Sequence, residues 1–529
     1  MIGGLSKFNR YLLAGAGAIG LLIAGGPGAQ AQNLQEIQVQ IQQMQATIKA
    51  LEKQVQDAKA QAAAAQTAAS EGGKSDLDLK VKWKGAPELS SSDGKFKMKV
   101  RGRLQADYNA IDQDFGVTGR PDVSAAEFRR ARLGVEGVVF YTVEYKFEVD
   151  FANDSVGVKD AYLEYTGLAD GLGLRFGNFK TFNTLNDMTS SRFITMMERA
   201  ALVEAWGFDR QIGAAAIYAQ DHFTISGGVF GPPVSTEEVY LEDVKTGAAR
   251  LTIAPINRDV NGVTQVVHLG ASWRYRENGE HLRSGSSGPY GSVSSPYSDQ
   301  LFRYRARGAD FHLADRFVSS PQIFDRDNFW GLEGAMIWGP WYAAGEYTQL
   351  HADIMSASFI PAPGALPQQG FNGNDPTYKG WYVEGGWFVT GESMTYKEGE
   401  FGRIKVKNPV IGGGKGGGWG AWQIVGRYDV LDLTDQAQTM QGNAVITSYP
   451  TGAPSTSSQN CLMCGEQKTW GIGVNWWLND YTRFQFNYNE SDIDGGPLLF
   501  TNASGHIVSA HVNDGATIKG FGARAQVDW

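Results

Sequence analysis

From residue 95 to residue 529 the chain alternates apolar and polar side chains with a period of two, as extended strands with two unlike faces do. In FKMKVRGRLQADY (96–108) one face is apolar, beginning with Phe96, Met98 and Val100. The opposite face is charged and begins with Lys97, Lys99, Arg101 and Arg103. The same alternation recurs in VEYKFEVDF (143–151), VVHLGASWRYR (266–276), RFQFNYN (483–489) and FGARAQVDW (521–529). The pattern predicts a protein made largely of β-strands.

A soluble sandwich would also alternate, with its apolar face turned inward. Here the apolar faces are aromatic near strand ends, as the interface girdles of membrane barrels are. These aromatic positions include Trp338, Trp341, Trp381, Trp387, Trp476 and Trp529. The polar faces carry rows of full charges, which a water-filled bore tolerates. The pattern favours an all-β fold, a transmembrane antiparallel β-barrel over residues 95–529, with roughly 14 to 18 strands and an open channel.

The N-terminal region has a different period. Residues 1–31 resemble a signal peptide, with Lys7 and Arg10 ahead of a short apolar run and Ala29-Gln30-Ala31 as a cleavage site. The alternative is a membrane anchor, although the run is short for a span. From 32 to 70 apolar residues alternate spacings of three and four, which predicts a periplasmic coiled-coil helix rather than a lone amphipathic helix. Residues 71–94 are polar and are predicted to be a linker.

Charge makes one stretch conspicuous, EFRRARLGVEG (127–137). The whole chain has a net charge of −9, unlike a nucleic-acid-binding protein, so these arginines are a local feature. If Ala131 faces lipid, Arg130 and Arg132 face the lumen. Arg129 then has the outer parity, so it must lie beyond the apolar band or at a bulge.

Two neighbouring strands therefore place many cations in one lumen, with few carboxylates expected between them. The electrostatic cost of this crowding is offset if a mobile anion binds there. The structural alternative is that the arginines pair with carboxylates of inward-folded loops. A second column of cations follows a stretch rich in Gly, Ser and Tyr, and consists of Arg303, Arg305, Arg307 and Arg316.

Other chemistry is poorly supported. Cys461 and Cys464 in CLMC favour a disulfide in an exported protein, because a zinc site would need more ligands. The seven histidines show no metal-ligand or triad spacing. IGGGKGGG (411–418) lacks the ending of a phosphate-binding loop and is predicted to be a turn. We therefore expect no metal, no cofactor and no enzymatic activity.

Several motifs resemble those of the phosphate-selective porins of the OprP and OprO type. They are GRLQADY (102–108), FRRAR (128–132), DAYLEYTG (160–167), TSSRFITMMER (189–199), VVHLG (266–270), WGLEGA (330–335), GRYD (426–429) and GVNWW (473–477). The resemblance implies a homotrimer of 16-stranded barrels, each pore narrowed by an infolded loop near 178–205.

The resemblance also implies roles for individual residues. Arg129 and Arg130 match a pair of constriction arginines, and Asp160 matches a constriction aspartate. Arg192 stands in the place of a constriction lysine in the infolded loop. Arg132 replaces an aromatic residue, which puts strict selectivity for orthophosphate in doubt. The column of Arg303, Arg305 and Arg307 matches an extracellular arginine ladder.

These patterns predict a passive, anion-selective channel in the outer membrane of a Gram-negative bacterium, for phosphate or a related oxyanion. The expected partners are outer-membrane lipid, small anions and, through the coiled coil, the periplasm or cell wall; nucleic acid is not expected. The alternatives are a less specific anion or general-diffusion porin, an envelope-tethering barrel and an enzyme built on a barrel.

Overall fold

The computed structural model describes residues 85–234, 245–278, 301–320, 324–354, 375–412, 417–435, 465–495 and 513–529. It also describes the short strands Leu79–Trp83, Glu238–Tyr240, His281–Arg283, Leu498–Phe500 and Ser509–His511, and helical residues at 42, 45–46, 48–50, 52–53, 55–57 and 59–60. The chain forms two compact units, Met1–Asp78 and Leu79–Trp529.

The second unit is a closed barrel. Within the described residues, sixteen antiparallel strands follow one another around it: β1 Lys97–Asp112, β2 Val123–Val139, β3 Val143–Asp150, β4 Gly157–Ala169, β5 Leu172–Lys180, β6 Arg210–Gln220, β7 Phe223–Phe230, β8 Lys245–Val260, β9 Val263–Glu277, β10 Phe324–Trp338, β11 Trp341–Ile354, β12 Thr377–Phe388, β13 Ala421–Asp432, β14 Glu466–Asn479, β15 Thr482–Asp494 and β16 Ala516–Asp528. Strand β16 pairs with β1 and completes the ring. The predicted all-β antiparallel barrel of about 16 strands is confirmed.

The two faces of the sheet differ as the alternation predicts. On β9, Leu269 and Trp273 are exposed on the outside, whereas Arg274, the residue after Trp273, is buried inside. Phe329 on the next strand is also buried inside. On β16, Phe521 lies outside and Arg524 inside. Near one end of the barrel the outer aromatic rings stack across strands, Trp341 on Trp387 with centroids 5.1 Å apart. This arrangement gives an apolar band with an aromatic rim, suited to a lipid bilayer.

The two ends of the barrel have different connections. At what we call the turn end, most connections contain two or three residues, as at Asn261 and Gly262, which both have positive φ. A two-residue hairpin with positive φ at both positions has the twist that β-strands prefer. The opposite, loop end carries the longer connections, where a four-residue helix at Phe115–Thr118 and a 3-10 turn at Ala152–Asp154 also lie.

The connection 181–209, between β5 and β6, lies inside the barrel. It contains the short helices Leu185–Met188 and Ala201–Ala205. The backbone N–H of Leu185 donates to Glu333 Oε2 on β10 at 2.7 Å. Farther along, the amide of Asn475 on β14 donates to the carbonyl of Thr195 at 2.8 Å. The segment therefore crosses the lumen from β5 to the opposite wall.

A second segment enters from the loop end. Residues 301–320 contain the strand pair Arg305–Arg307 and Arg316–Ser319, joined through the 3-10 turn Gly308–Asp310. Tyr304 and Phe317 are fully buried in an apolar cluster that includes Trp206 and residues of the wall. This packing narrows the mouth of the barrel.

A hairpin also enters from the turn end. Within the connection 389–420, the strands Thr395–Lys397 and Glu400–Gly402 pair. The carbonyl of Gly399 accepts from Arg250 Nη2 of β8 at 2.8 Å. The backbone N–H of Phe401 donates to Thr189 Oγ1 at 3.3 Å, so this hairpin contacts the segment 181–209 inside the lumen.

The predicted linker 71–94 is not wholly irregular. It contains the paired strands Leu79–Trp83 and Pro87–Ser91, and the second of these also pairs with β1. No helix within the described residues is long and apolar enough to cross a bilayer. The predicted signal peptide, most of the predicted coiled coil, and Cys461 and Cys464 lie outside the described residues.

Candidate functional site

The barrel and its infolded segments enclose a cavity of about 620 Å³. Among the described residues its lining contains thirteen cations and eight carboxylates, an excess of five positive charges. The cations are Arg103, Arg129, Arg130, Arg132, Lys146, Lys159, Arg175, Lys180, Arg192, Arg199, Arg210, Arg307 and Arg316. The carboxylates are Glu148, Asp160, Asp187, Glu198, Glu204, Asp209, Asp310 and Glu400. The cavity therefore attracts anions.

Arg129 and Arg130 both point into this cavity because β2 has a bulge. In its pairing with β1, Arg130 lies opposite Gln105 and Phe128 lies opposite Ala106, which leaves Arg129 as an extra residue. A bulge of this kind puts two consecutive side chains on the same face. Of the two placements predicted for Arg129, the structure has the bulge.

Both arginines meet a carboxylate from the segment 181–209. Arg129 donates from Nε to Glu198 Oε1 at 2.8 Å and from Nη2 to Oε2 at 3.0 Å. Arg130 Nη2 lies 3.6 Å from Oε2, and Arg524 Nη2 donates to Oε1 at 2.7 Å. Burial by itself raises the pKa of the Glu198 carboxyl, but the three guanidinium groups outweigh burial and hold that pKa well below its usual range. Glu198 is therefore ionised.

The expectation of few carboxylates among the cations of β1 and β2 is wrong. Arg132 donates to Asp150 at 2.7 Å and to Glu148 at 3.0 Å, both on β3. Arg101 pairs with Glu136 in the same way. The strands place complementary charges side by side because uncompensated charges in a partly buried wall are costly.

Asp160 lies in the cavity wall between two cations. Its carboxylate is 2.5 Å from Lys146 Nζ and accepts from Arg210 Nε at 2.7 Å. The three side chains come from β3, β4 and β6, so the contacts join separate strands. This arrangement fixes the two cations at the cavity surface.

Two cations of the lining have no ion-pair partner within the part of the chain that the structure describes. Lys159 is one, and Arg192 of the segment 181–209 is the other. Arg192 donates from Nε to Ser190 Oγ at 3.4 Å, and its guanidinium carbon is 5.2 Å from the ring centre of Phe193. Burial, reinforced by Arg101 and Arg403, lowers the pKa of Arg192 even though Asp528 opposes the shift. These two groups have donors to offer an incoming anion.

The second predicted column is only partly in the cavity. Arg307 and Arg316 line it and share Glu204, at 3.3 Å and 2.7 Å. Arg303 and Arg305 lie nearer the loop end and are not in the lining. Neither has an ion-pair partner among the described residues. Lys97, Lys99 and Arg101, from the first predicted row, also lie outside the lining, whereas Arg103 belongs to it.

Sequence reasoning did not select several lining residues. Lys146 and Glu148 have the inward parity of β3, so the alternation contained a signal for them. Lys159 is adjacent to Asp160 on β4, so strict alternation would place these two side chains on opposite faces of the strand, yet both line the cavity. Glu198 and Arg199 lie in a segment without periodicity, and no sequence pattern places their side chains.

Among the residues that the structure describes, one group of side chains has ligand atoms close enough together for a metal ion. His351, Asp353 and Asp375 lie at the loop end of β11 and β12, with their ligand atoms within 4.8 Å of one another. Arg326 lies 3.3 Å from Asp353, so this carboxylate already has a cationic partner. The group is separate from the cavity.

Comparison with known proteins gives the context for this site. Residues 98–509 match the family model described as phosphate-selective porin O and P. Porin O of Pseudomonas aeruginosa is 28% identical over 438 residues, which cover 79% of this chain and 88% of that protein. An uncharacterized protein of Caulobacter vibrioides is also 28% identical, over 79% of this chain and 73% of that protein.

Among solved structures, the anion-selective porin from Comamonas acidovorans aligns with a TM-score of 0.44 and 10% identity. The alignment covers 82% of this chain and all of that chain.

Proposed function

Because this chain belongs to the phosphate-selective porin O and P family, and is thus an outer-membrane channel, we propose that it passes anions selectively, with phosphate or related oxyanions as its solutes. The observation that carries the proposal is the cavity lining, with its excess of five positive charges inside a closed barrel.

The mechanism is selective passage without covalent chemistry. An oxyanion that enters the cavity exchanges water for N–H donors, and each such charge-assisted hydrogen bond is stronger than a neutral one. Arg192 offers a planar fork and Lys159 a compact point charge. The surrounding carboxylates offset part of the positive charge, which lets the anion leave again, as conduction requires.

Arg132 gives a reason to propose oxyanions in general. It stands where the resemblance implies an aromatic residue, and its guanidinium is held by Glu148 and Asp150. The arginine therefore adds one cation to the wall, and that cation is paired with two carboxylates. The substitution also removes an apolar surface that would exclude larger or more hydrated anions.

We also propose a trimeric assembly with the turn end and the helix of residues 32–70 in the periplasm, where the helix contacts the cell wall. Short turns on the periplasmic side are the rule for bacterial barrels. Cross-linking and light scattering of the detergent-solubilised protein, with and without residues 32–70, test this assembly. Loss of trimers on deletion supports a role in assembly; intact trimers with a weakened envelope support tethering.

Planar-bilayer recording tests the channel proposal. In a potassium chloride gradient the reversal potential should show strong anion preference, and added phosphate should block the chloride current. The double variant Lys159→Ala with Arg192→Ala should weaken both effects. Arg326→Ala, which removes a cation outside the cavity, serves as the control. A wild-type channel without anion preference would overturn the proposal.

A less specific anion porin is the second candidate. The pairing of Arg129, Arg130 and Arg132 with carboxylates favours it, because fewer guanidinium groups remain to strip water from phosphate. In that case the wild type prefers anions, yet phosphate leaves its chloride current unchanged.

A further inference from the structure

We propose that Glu198 is a tethered competitor, a carboxylate that occupies an anion position among Arg129, Arg130 and Arg524 and must be displaced when an oxyanion binds there. This inference rests on the proposed anion channel and concerns the regulation of affinity at that same site.

The contacts of Glu198 are those of a bound oxyanion. Arg129 grips it with two parallel N–H donors, at 2.8 Å and 3.0 Å, the fork geometry with which arginine recognises carboxylate and phosphate alike. Arg524 donates to the same oxygen as Arg129 Nε, and Arg130 lies near the other. Three guanidinium groups therefore surround this one carboxylate, two of them through hydrogen bonds.

The side chain of Glu198 can leave while its backbone stays in place. Its carbonyl accepts from Arg427 Nη1 at 2.9 Å, and the preceding N–H, of Met197, donates to Asn487 Oδ1 at 3.1 Å. The carboxylate itself lines the cavity, with 13% of its side chain exposed. Rotation about the side-chain bonds of Glu198 therefore suffices to clear the position, with no movement of the segment 181–209.

The local charge also allows exchange. Asp107 is already committed to Arg524, with hydrogen bonds of 2.7 Å and 2.6 Å. Three guanidinium groups against Asp107 and Glu198 leave one positive charge, so an incoming anion is still attracted. Because it must replace Glu198, the anion binds more weakly than the three arginines alone would bind it.

A competitor of this kind speeds the release of anions. When the anion moves on, the carboxylate returns to the arginines at once, and their charge is never left exposed. Removing the charge of Glu198 should therefore tighten binding and slow release, so that flux rises at low phosphate and falls at high phosphate.

The test compares Glu198→Gln with Glu204→Gln in planar bilayers, using phosphate block of the chloride current. Both variants remove one negative charge from the cavity lining, but Glu204 pairs with Arg307 and Arg316 and not with the Arg129–Arg130 pair. We expect the half-blocking phosphate concentration to fall about tenfold or more in Glu198→Gln. In Glu204→Gln it should change by less than about threefold, because this variant alters only the electrostatic potential of the cavity and frees no anion position at Arg129 and Arg130.

Equal shifts in the two variants, or weaker block in Glu198→Gln, would overturn the inference. Glu198→Asp is the second variant: it keeps the charge but is too short to hold Arg129 and Arg524 together, so an intermediate tightening of block is expected, and unchanged block counts against exchange. If the wild type shows no anion preference, the proposed function fails. If phosphate blocks the wild type and both Glu198 variants are blocked to the same extent as the wild type, the proposed function stands and only the proposal that Glu198 competes with the anion fails.

Discussion

Gly102 and Trp529 exchange two backbone hydrogen bonds, at 3.3 Å and 3.1 Å, where β1 meets β16. The indole ring of Trp529 lies against Gly102 in the space that a Cβ atom would need. The seam of the barrel therefore depends on the lack of a side chain at position 102.

Gly102→Ala should weaken this seam, because an added methyl group displaces the indole at a cost of about 1–3 kcal/mol. The expected result is a lower unfolding temperature and a smaller fraction of folded barrel in unheated gel electrophoresis. Gly116→Ala is the control, since a Cβ atom there meets nothing within 4 Å. Equal behaviour of the two variants would contradict this role of Gly102.

Anion preference should increase as the pH falls, through Glu400. Burial raises the pKa of this lining carboxyl above its usual range, although Arg250 opposes the shift. The Glu400 carboxyl is negatively charged above its raised pKa and neutral below it. As the pH falls, the lining therefore becomes more positive at a higher pH than an ordinary glutamate would cause. Reversal potentials between about pH 8 and pH 4 measure the effect.

Glu400→Gln should show part of the low-pH preference at neutral pH and a smaller change on acidification than the wild type. Glu198 should not contribute in the same window, because its pKa is held well below the usual range. A wild type whose reversal potential is independent of pH would contradict the assignment to Glu400.

Replacing Arg132 by phenylalanine should lower anion preference by more than the loss of one cation. Glu148 and Asp150 would lose their contacts with Arg132, at 3.0 Å and 2.7 Å, and their charge would face the cavity. Adding Glu148→Gln and Asp150→Asn to Arg132→Phe should restore the preference. Reversal potentials in a salt gradient compare the three proteins; a single variant with increased preference would refute the prediction.

Glu333→Ala should destabilise the infolded segment 181–209. The carboxylate accepts from Arg250 at 2.6 Å, from Leu185 N–H at 2.7 Å and contacts His268 at 3.0 Å, all in a buried setting. Removing one partner of a buried ion pair costs about 3–5 kcal/mol, because the other charge is left uncompensated.

The expected results are a lower unfolding temperature, faster proteolysis within 181–209 and noisier single-channel current. Glu204→Ala, which breaks a pair whose partners are about one-third exposed, should cost about 0–1 kcal/mol. Shifts of similar size in both variants would show that Glu333 does not anchor the segment.

The strands were predictable because each has one apolar and one polar face, and a period of two survives in the sequence of β1, β3, β9 and β16. The inward direction of Arg130 and Arg132 follows from that parity alone. Arg129 was harder, since a bulge breaks the period locally, and the sequence left two placements open.

Pairing of charges was not predictable to the same degree. Whether Glu148 faces Arg132 depends on the register of β2 against β3, which alternation does not specify. Glu198 reaches the arginines along a path through the lumen, fixed by long-range contacts such as that between Leu185 and Glu333. The sequence shows that charges share a lumen, whereas the fold decides which of them remain unneutralised.

The bulge has a consequence for how this pore can vary. Arg129 is the extra residue of the bulge and has no partner in the pairing of β2 with β1. Deleting Arg129 would therefore leave Phe128 opposite Ala106 and Arg130 opposite Gln105, as they are now. A change of one residue in length can thus add or delete a single guanidinium in the bore while every other side chain of β2 keeps its orientation. A point substitution changes the side chain at one position of the pore lining, whereas gain or loss of the bulge residue changes the number of side chains that line the pore.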